Sequence, residues 1–158
     1  MPSKPPETLS YAAADKYSGR CYCGVTTLVA KSPAQTVTYC HCSDCRRITG
    51  APVAAFAAFA SNEVTITPDP GPVSANPGVE RWFCRTCGSP MAARFTYLPG
   101  QVYVPIGVLD QAADLAPQQH SHAEACLPWL HIDDNLERFA ASGRAALQAV
   151  RATSGDPE

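Results

Sequence analysis

The chain has 158 residues, a formal net charge of -2 at pH 7, a pI near 6.1 and eight cysteines. That length makes one domain able to bury about two thirds of its unfolded surface, so a metal site would supplement a core rather than replace one. The charge excludes a general electrostatic attraction to nucleic acid or an anionic membrane, and no apolar run approaches the roughly 20 residues of a membrane span.

The opening "MPSKPPETLS" has no apolar segment of a secretory signal, which makes the cytoplasm the expected compartment. Residues 1–18, with Pro2, Pro5 and Pro6 and little periodicity, are expected as a flexible tail, with one domain over 19–140 and a C-terminal helix and tail over 141–158. Short runs of β-branched and aromatic residues bounded by turns then read as strands: "VTTLVA" (25–30), "TVTYC" (36–40), "VTIT" (64–67), "RWFC" (81–84), "MAARFT" (91–96) and "VYVPI" (102–106). "PVAAFAAFA" (52–60) is ambiguous, because Val53, Phe56 and Phe59 recur every three residues as on a helix; strand is preferred. "TPDPGPVSANPG" (67–78) holds four prolines and two glycines and predicts a long loop. After Asp134, "LERFAASGRAALQAVRA" reads as a helix interrupted at Gly143. The fold class expected is mainly β with short helices.

Seven cysteines form three groups: Cys21-x-Cys23, Cys40-x-Cys42-x-x-Cys45 and Cys84-x-x-Cys87. Without an export signal, such pairs fit metal thiolates better than a disulfide framework. A tight turn brings the sulfurs of a C-x-C or C-x-x-C pair within the edge length of a zinc tetrahedron, and two distant pairs complete one site. Cys21, Cys23, Cys84 and Cys87 would make a closed four-thiolate site, with Gly88 allowing the turn after "CRTC", and the central trio is left for a second metal. The alternative, buried cysteines acting as small hydrophobes, does not explain seven so arranged.

The fourth ligand of Cys40, Cys42 and Cys45 decides the chemistry. A closed shell makes a structural clip, whereas an open position binds a substrate thiol or water. His41 is nearest, but along an extended strand it faces away from its two neighbours, so a supporting hydrogen bond or a core position is expected. Cys126, His120, His122 and His131 would close the shell only if the fold delivered one of them. The open site is favoured by subtraction.

Four segments taken in order, "GRCYCGVT" (19–26), "YCHCSDCRRITGAP" (39–52), "RWFCRTCGSPM" (81–91) and "PWLHIDDNLERF" (128–139), resemble the successive signatures of the glutathione-dependent formaldehyde-activating enzyme family, also called the centromere protein V family. The resemblance implies an Mss4-like fold, a tent of antiparallel sheets with two zinc ions. On that pattern the structural zinc takes Cys21, Cys23, Cys84 and Cys87, and the second takes Cys40, Cys42 and Cys45 with an exchangeable fourth position. It also implies a carbon-sulfur lyase that interconverts formaldehyde plus glutathione with S-hydroxymethylglutathione. The chain departs from the family pattern in "VSANPGVERWFC" and at Cys126 in "EACLPW".

Three thiolates around zinc leave a net charge of about -1 and favour binding a thiol as thiolate over polarising an aldehyde oxygen. Arg46 and Arg47 follow the last ligand; the reading preferred for them is offsetting that charge and facing solvent, with pairing to substrate carboxylates as the alternative. Two rival functions remain at this point: a noncatalytic zinc module that binds a macromolecule, and a thiol redox enzyme related to methionine sulfoxide reductases with Cys126 as its free cysteine. The expected partner is a small thiol such as glutathione, with no nucleic acid and no membrane.

Overall fold

Why "AAFAAFA" is apolar throughout becomes clear from its surroundings: the strand it forms is covered on both faces. The computed structural model describes residues 16–143. Its ten strands in chain order are β1 (Tyr17–Arg20), β2 (Thr27–Ala30), β3 (Thr36–Cys40), β4 (Ala54–Ala60), β5 (Val64–Thr67), β6 (Val79–Phe83), β7 (Pro90–Phe95), β8 (Gln101–Pro105), β9 (Gln119–Ser121) and β10 (Glu137–Arg138). Among the described residues a single α-helix, α1 (Ser43–Thr49), lies between β3 and β4.

The strands form a three-stranded sheet, β1-β2-β5, and a seven-stranded sheet, β10-β9-β3-β4-β8-β7-β6. Pairing is antiparallel except at β3-β9 and β9-β10, which are parallel. Between the sheets lies the main core, built on Tyr17, Leu28, Val37, Phe59, Met91 and Val104, and including Cys21 and Cys84. Successive side chains of a strand point to opposite faces, so Ala57 and Phe59 of β4 enter this core while Phe56 and Ala58 enter a second one, with Cys40, Cys45, Leu98 and Tyr103. The period-three recurrence of Val53, Phe56 and Phe59 was therefore accidental, and the strand preference holds.

β1 opens at buried Tyr17, two residues ahead of Gly19. The expected tail lies mostly outside the described residues, as does most of the expected helix over 141–158. The part of the helical reading that is described is corrected: Glu137 and Arg138 are a strand in parallel register with Gln119 and His120. Two backbone hydrogen bonds impose this, Phe139 N to His120 O (2.9 Å) and Ala123 N to Phe139 O (2.9 Å), and tertiary pairing overrides a weak helical propensity. Among the described residues no helix is long and apolar enough to cross a membrane.

Candidate metal centre

The first cluster joins two turns. Cys21 ends the β1 side with Thr26 donating its amide to Cys21 Sγ (3.2 Å), and a bulge between Trp82 and Phe83 closes β6 just before Cys84. Gly88 adopts φ 74°, the left-handed region that glycine enters without strain, and donates to Cys84 O (2.9 Å). Tyr22 N donates to Ser89 Oγ (3.0 Å), linking the two turns. All four sulfurs, of Cys21, Cys23, Cys84 and Cys87, lie within 4.8 Å of one another. The pairs Cys21–Cys23 (3.5 Å) and Cys23–Cys84 (3.8 Å) match the edge of about 3.8 Å that a Zn–S bond of about 2.3 Å requires in a tetrahedron. The donor set thus fits zinc. The Cys87 thiol is pulled down to about 5 by the hydroxyl and then the amide of Ser89, and the Cys84 thiol to about 7, first by Thr26 and then by the Cys87 amide.

The second cluster is held by one strand end and one short helix. Cys40 ends β3, Cys42 caps α1 by accepting the Cys45 amide at Sγ (3.3 Å), and Cys45 is buried in the first turn. The helix stops after seven residues because Gly50, at φ 69°, returns its amide to Arg46 O (2.8 Å). The three sulfurs lie within 4.8 Å of one another, with Cys40 and Cys42 3.5 Å apart. Hydrogen bonds from Cys40 and then Cys45 lower the Cys42 thiol to about 2; the contact with Cys42 raises Cys40 to about 11 against an opposing contact with Cys45, and Cys40 and then Cys42 push Cys45 up. Three sulfurs this close make a donor set suited to a soft cation.

Among the described residues no fourth ligand joins the trio. His41 is fully buried and its Nε2 lies 2.8 Å from His120 Nδ1; His120 Nε2 lies 2.9 Å from Asp134, which Arg138 meets at 3.0 Å. Two of the candidate ligands, His41 and His120, are therefore engaged with each other. Cys126 directs its thiol to Leu127 O and Leu130 O (3.6 and 3.7 Å), and His131 is exposed. His122 comes nearest in function: it lines the cavity beside the trio, held at φ 55° by its amide bond to Ala141 O (2.8 Å), and its charge is among the causes that lower Cys42.

The cavity, of about 200 Å³, opens on Cys40, Cys42 and Cys45 and is walled by Phe56, Phe95 and Tyr103. Arg46 does not reach into it for a substrate: its guanidinium donates to His41 O (2.5 Å) and Ala125 O (2.6 Å), tying the ligand loop to the turn that follows β9. Arg47 is exposed. Sequence reading gave no role to Arg81, His122 as a cavity residue, or Asp134. Arg81 sits in the quoted segment before Cys84, but only the folded sheet shows that it faces the trio's cavity.

A mainly β fold of two sheets with two cysteine clusters defines the Mss4-like class. The profile of the glutathione-dependent formaldehyde-activating enzyme family matches residues 16–125, and the chain belongs to that family. It is 28% identical over 81 residues to an uncharacterized lyase of Schizosaccharomyces pombe; the match covers 51% of this chain and 59% of that relative. A crystal structure of a Rhodobacter sphaeroides protein superimposes with a TM-score of 0.50 at 23% identity, over 59% of this chain and 87% of the other, and shares its fold.

Proposed function

We propose that the chain is a zinc-dependent protein of the carbon-sulfur lyase type that acts on a thiol-aldehyde adduct, with glutathione plus formaldehyde and S-hydroxymethylglutathione as the pair to test first. Cys21, Cys23, Cys84 and Cys87 hold a structural zinc, and Cys40, Cys42 and Cys45 hold a second with one open position. The observation that carries this reading is the cavity beside a trio that has no fourth ligand among the described residues. Family membership supports the choice of glutathione and formaldehyde.

In the forward direction the sulfur of the thiol adds to the carbonyl carbon, the π pair moves to oxygen, and oxygen takes a proton; the lyase direction breaks the same C–S bond. Zinc, when bound, supplies the positive charge that lowers a thiol's pKa from about 8.5 to below neutrality. The chain contributes position and exclusion of water. β3 and the α1 N-terminus fix the three sulfurs, and Phe56 and Phe95 wall the space where the carbon must sit.

Because a thiol adds to formaldehyde unaided, the test must measure acceleration. Exchange NMR between formaldehyde, glutathione and their adduct should show line broadening proportional to protein concentration, lost in Cys45→Ser and retained in Cys126→Ser. Exchange no faster than in buffer with fully metallated protein would dismiss the lyase and favour a binding module.

A further inference from the structure

Arg81 presents a different kind of anomaly from the cysteines. It is only 9% exposed, and among the described residues its guanidinium meets no carboxylate, although its nitrogens are not among the fully buried polar atoms left without a partner. Its guanidinium carbon lies 5.6 Å from the centroid of the Phe95 ring. The backbone beneath it is rigidly placed: Arg81 pairs with Ala93 across β6-β7, and exchanges bonds of 2.9 and 2.7 Å with Val73 on the other side. The side chain lines the same cavity as Cys40, Cys42 and Cys45. The cavity continues toward the surface past Val79 and the exposed carboxylate of Asp44, which is not within ion-pair range of Arg81.

A guanidinium stays charged at any pH the fold survives, and its planar fork matches a carboxylate with two parallel hydrogen bonds. No carboxylate of the described residues neutralises it. We infer that Arg81 is the anion-binding residue of this cavity, receiving a carboxylate of the thiol whose sulfur meets the trio, so that the site selects carboxylate-bearing thiols over neutral thiols of equal reach. The inference rests on the proposed reading of the trio as a thiol site and adds to it the residue that recognises the thiol's carboxylate. It also makes a prediction opposite to simple electrostatics. A three-thiolate metal centre of net charge about -1 repels an anionic thiol, so any preference for the anion must come from a cation placed beyond the sulfurs.

The test uses the cobalt-loaded protein, whose thiolate-to-metal absorption reports sulfur binding directly, and two probes of the same length: 3-mercaptopropionate and 3-mercaptopropionamide. The wild type should bind the carboxylate about tenfold more tightly than the amide, the discrimination expected of one charge-assisted pair. Arg81→Gln should bring that ratio near one while leaving the amide affinity and the cobalt content unchanged. Arg81→Lys, which keeps the charge and guards against a misfolded Gln variant, should retain part of the preference. Equal affinity of the wild type for both probes overturns the role of Arg81 alone, as does equal weakening of both by Arg81→Gln, which would mean that it only balances the metal's charge. A wild-type spectrum unmoved by either thiol overturns the thiol-site reading and this inference with it.

Discussion

His41 sits between two metal-ligand candidates and points away from both, as alternation along an extended strand requires. Its burial could be read from the sequence; its partners could not, because His120 is 79 positions away and Asp134 a further 14. The parallel register Tyr39↔His120 on β3-β9 brings them together. The tautomers that satisfy these distances place Nε2–H of His120 on the carboxylate and Nε2–H of His41 on His120 Nδ1, which matches His41 Nδ1 having no partner. Burial pushes the Asp134 carboxyl up, but the hydrogen bond from His120, the Leu136 amide and the charge of Arg138 outweigh it and hold it below the usual value. A depressed folded pKa stabilises above the unfolded value, near 4, and that contribution is lost as pH falls through the folded one. Asp134→Asn should therefore cost about 1 kcal/mol at pH 7, and urea midpoints should show the gap to wild type closing below about pH 4. A gap that survives at pH 3 would mean that shape rather than charge matters there.

Elements differ in how they hold their sulfurs, and that sets what each cysteine is worth. Cys84 lies at the bulged end of β6 and packs with Cys21 in the main core, so losing its thiolate opens the joint between two sheets. Cys42 caps α1, and serine is itself a good cap, so Cys42→Ser takes one sulfur from the trio and keeps the helix start. Cys84→Ser should lower the melting temperature by about 10 °C or more. Cys42→Ser should lose the second zinc with a far smaller shift; equal melting losses would contradict the division. The strands that carry these sites were readable because β-branched runs bounded by turns leave few alternatives. α1 was not, since seven residues with two arginines and a cysteine show no apolar period. β10 was misread for a related reason: two charged residues, Glu137 and Arg138, become a strand only through the neighbour that pairs with them.

At the scale of the molecule, the two clusters belong to two different cores. The four-cysteine set is knit into the layer between the sheets, and the three-cysteine set sits on the second core beneath a cavity. Spacing along the chain already divided the cysteines this way, because short pairs can only close on each other across a fold. What spacing could not supply was the wall of the cavity, drawn from β4, β6, β7, β8 and the turn at His122. On the proposed function, one metal site is closed and the other is open to a thiol. X-ray absorption on native protein carrying two zinc ions should give an average of about 3.5 sulfurs per zinc, rising to four when glutathione is added. One zinc per chain in freshly reduced protein, or a full four-sulfur average before any thiol is present, would contradict it.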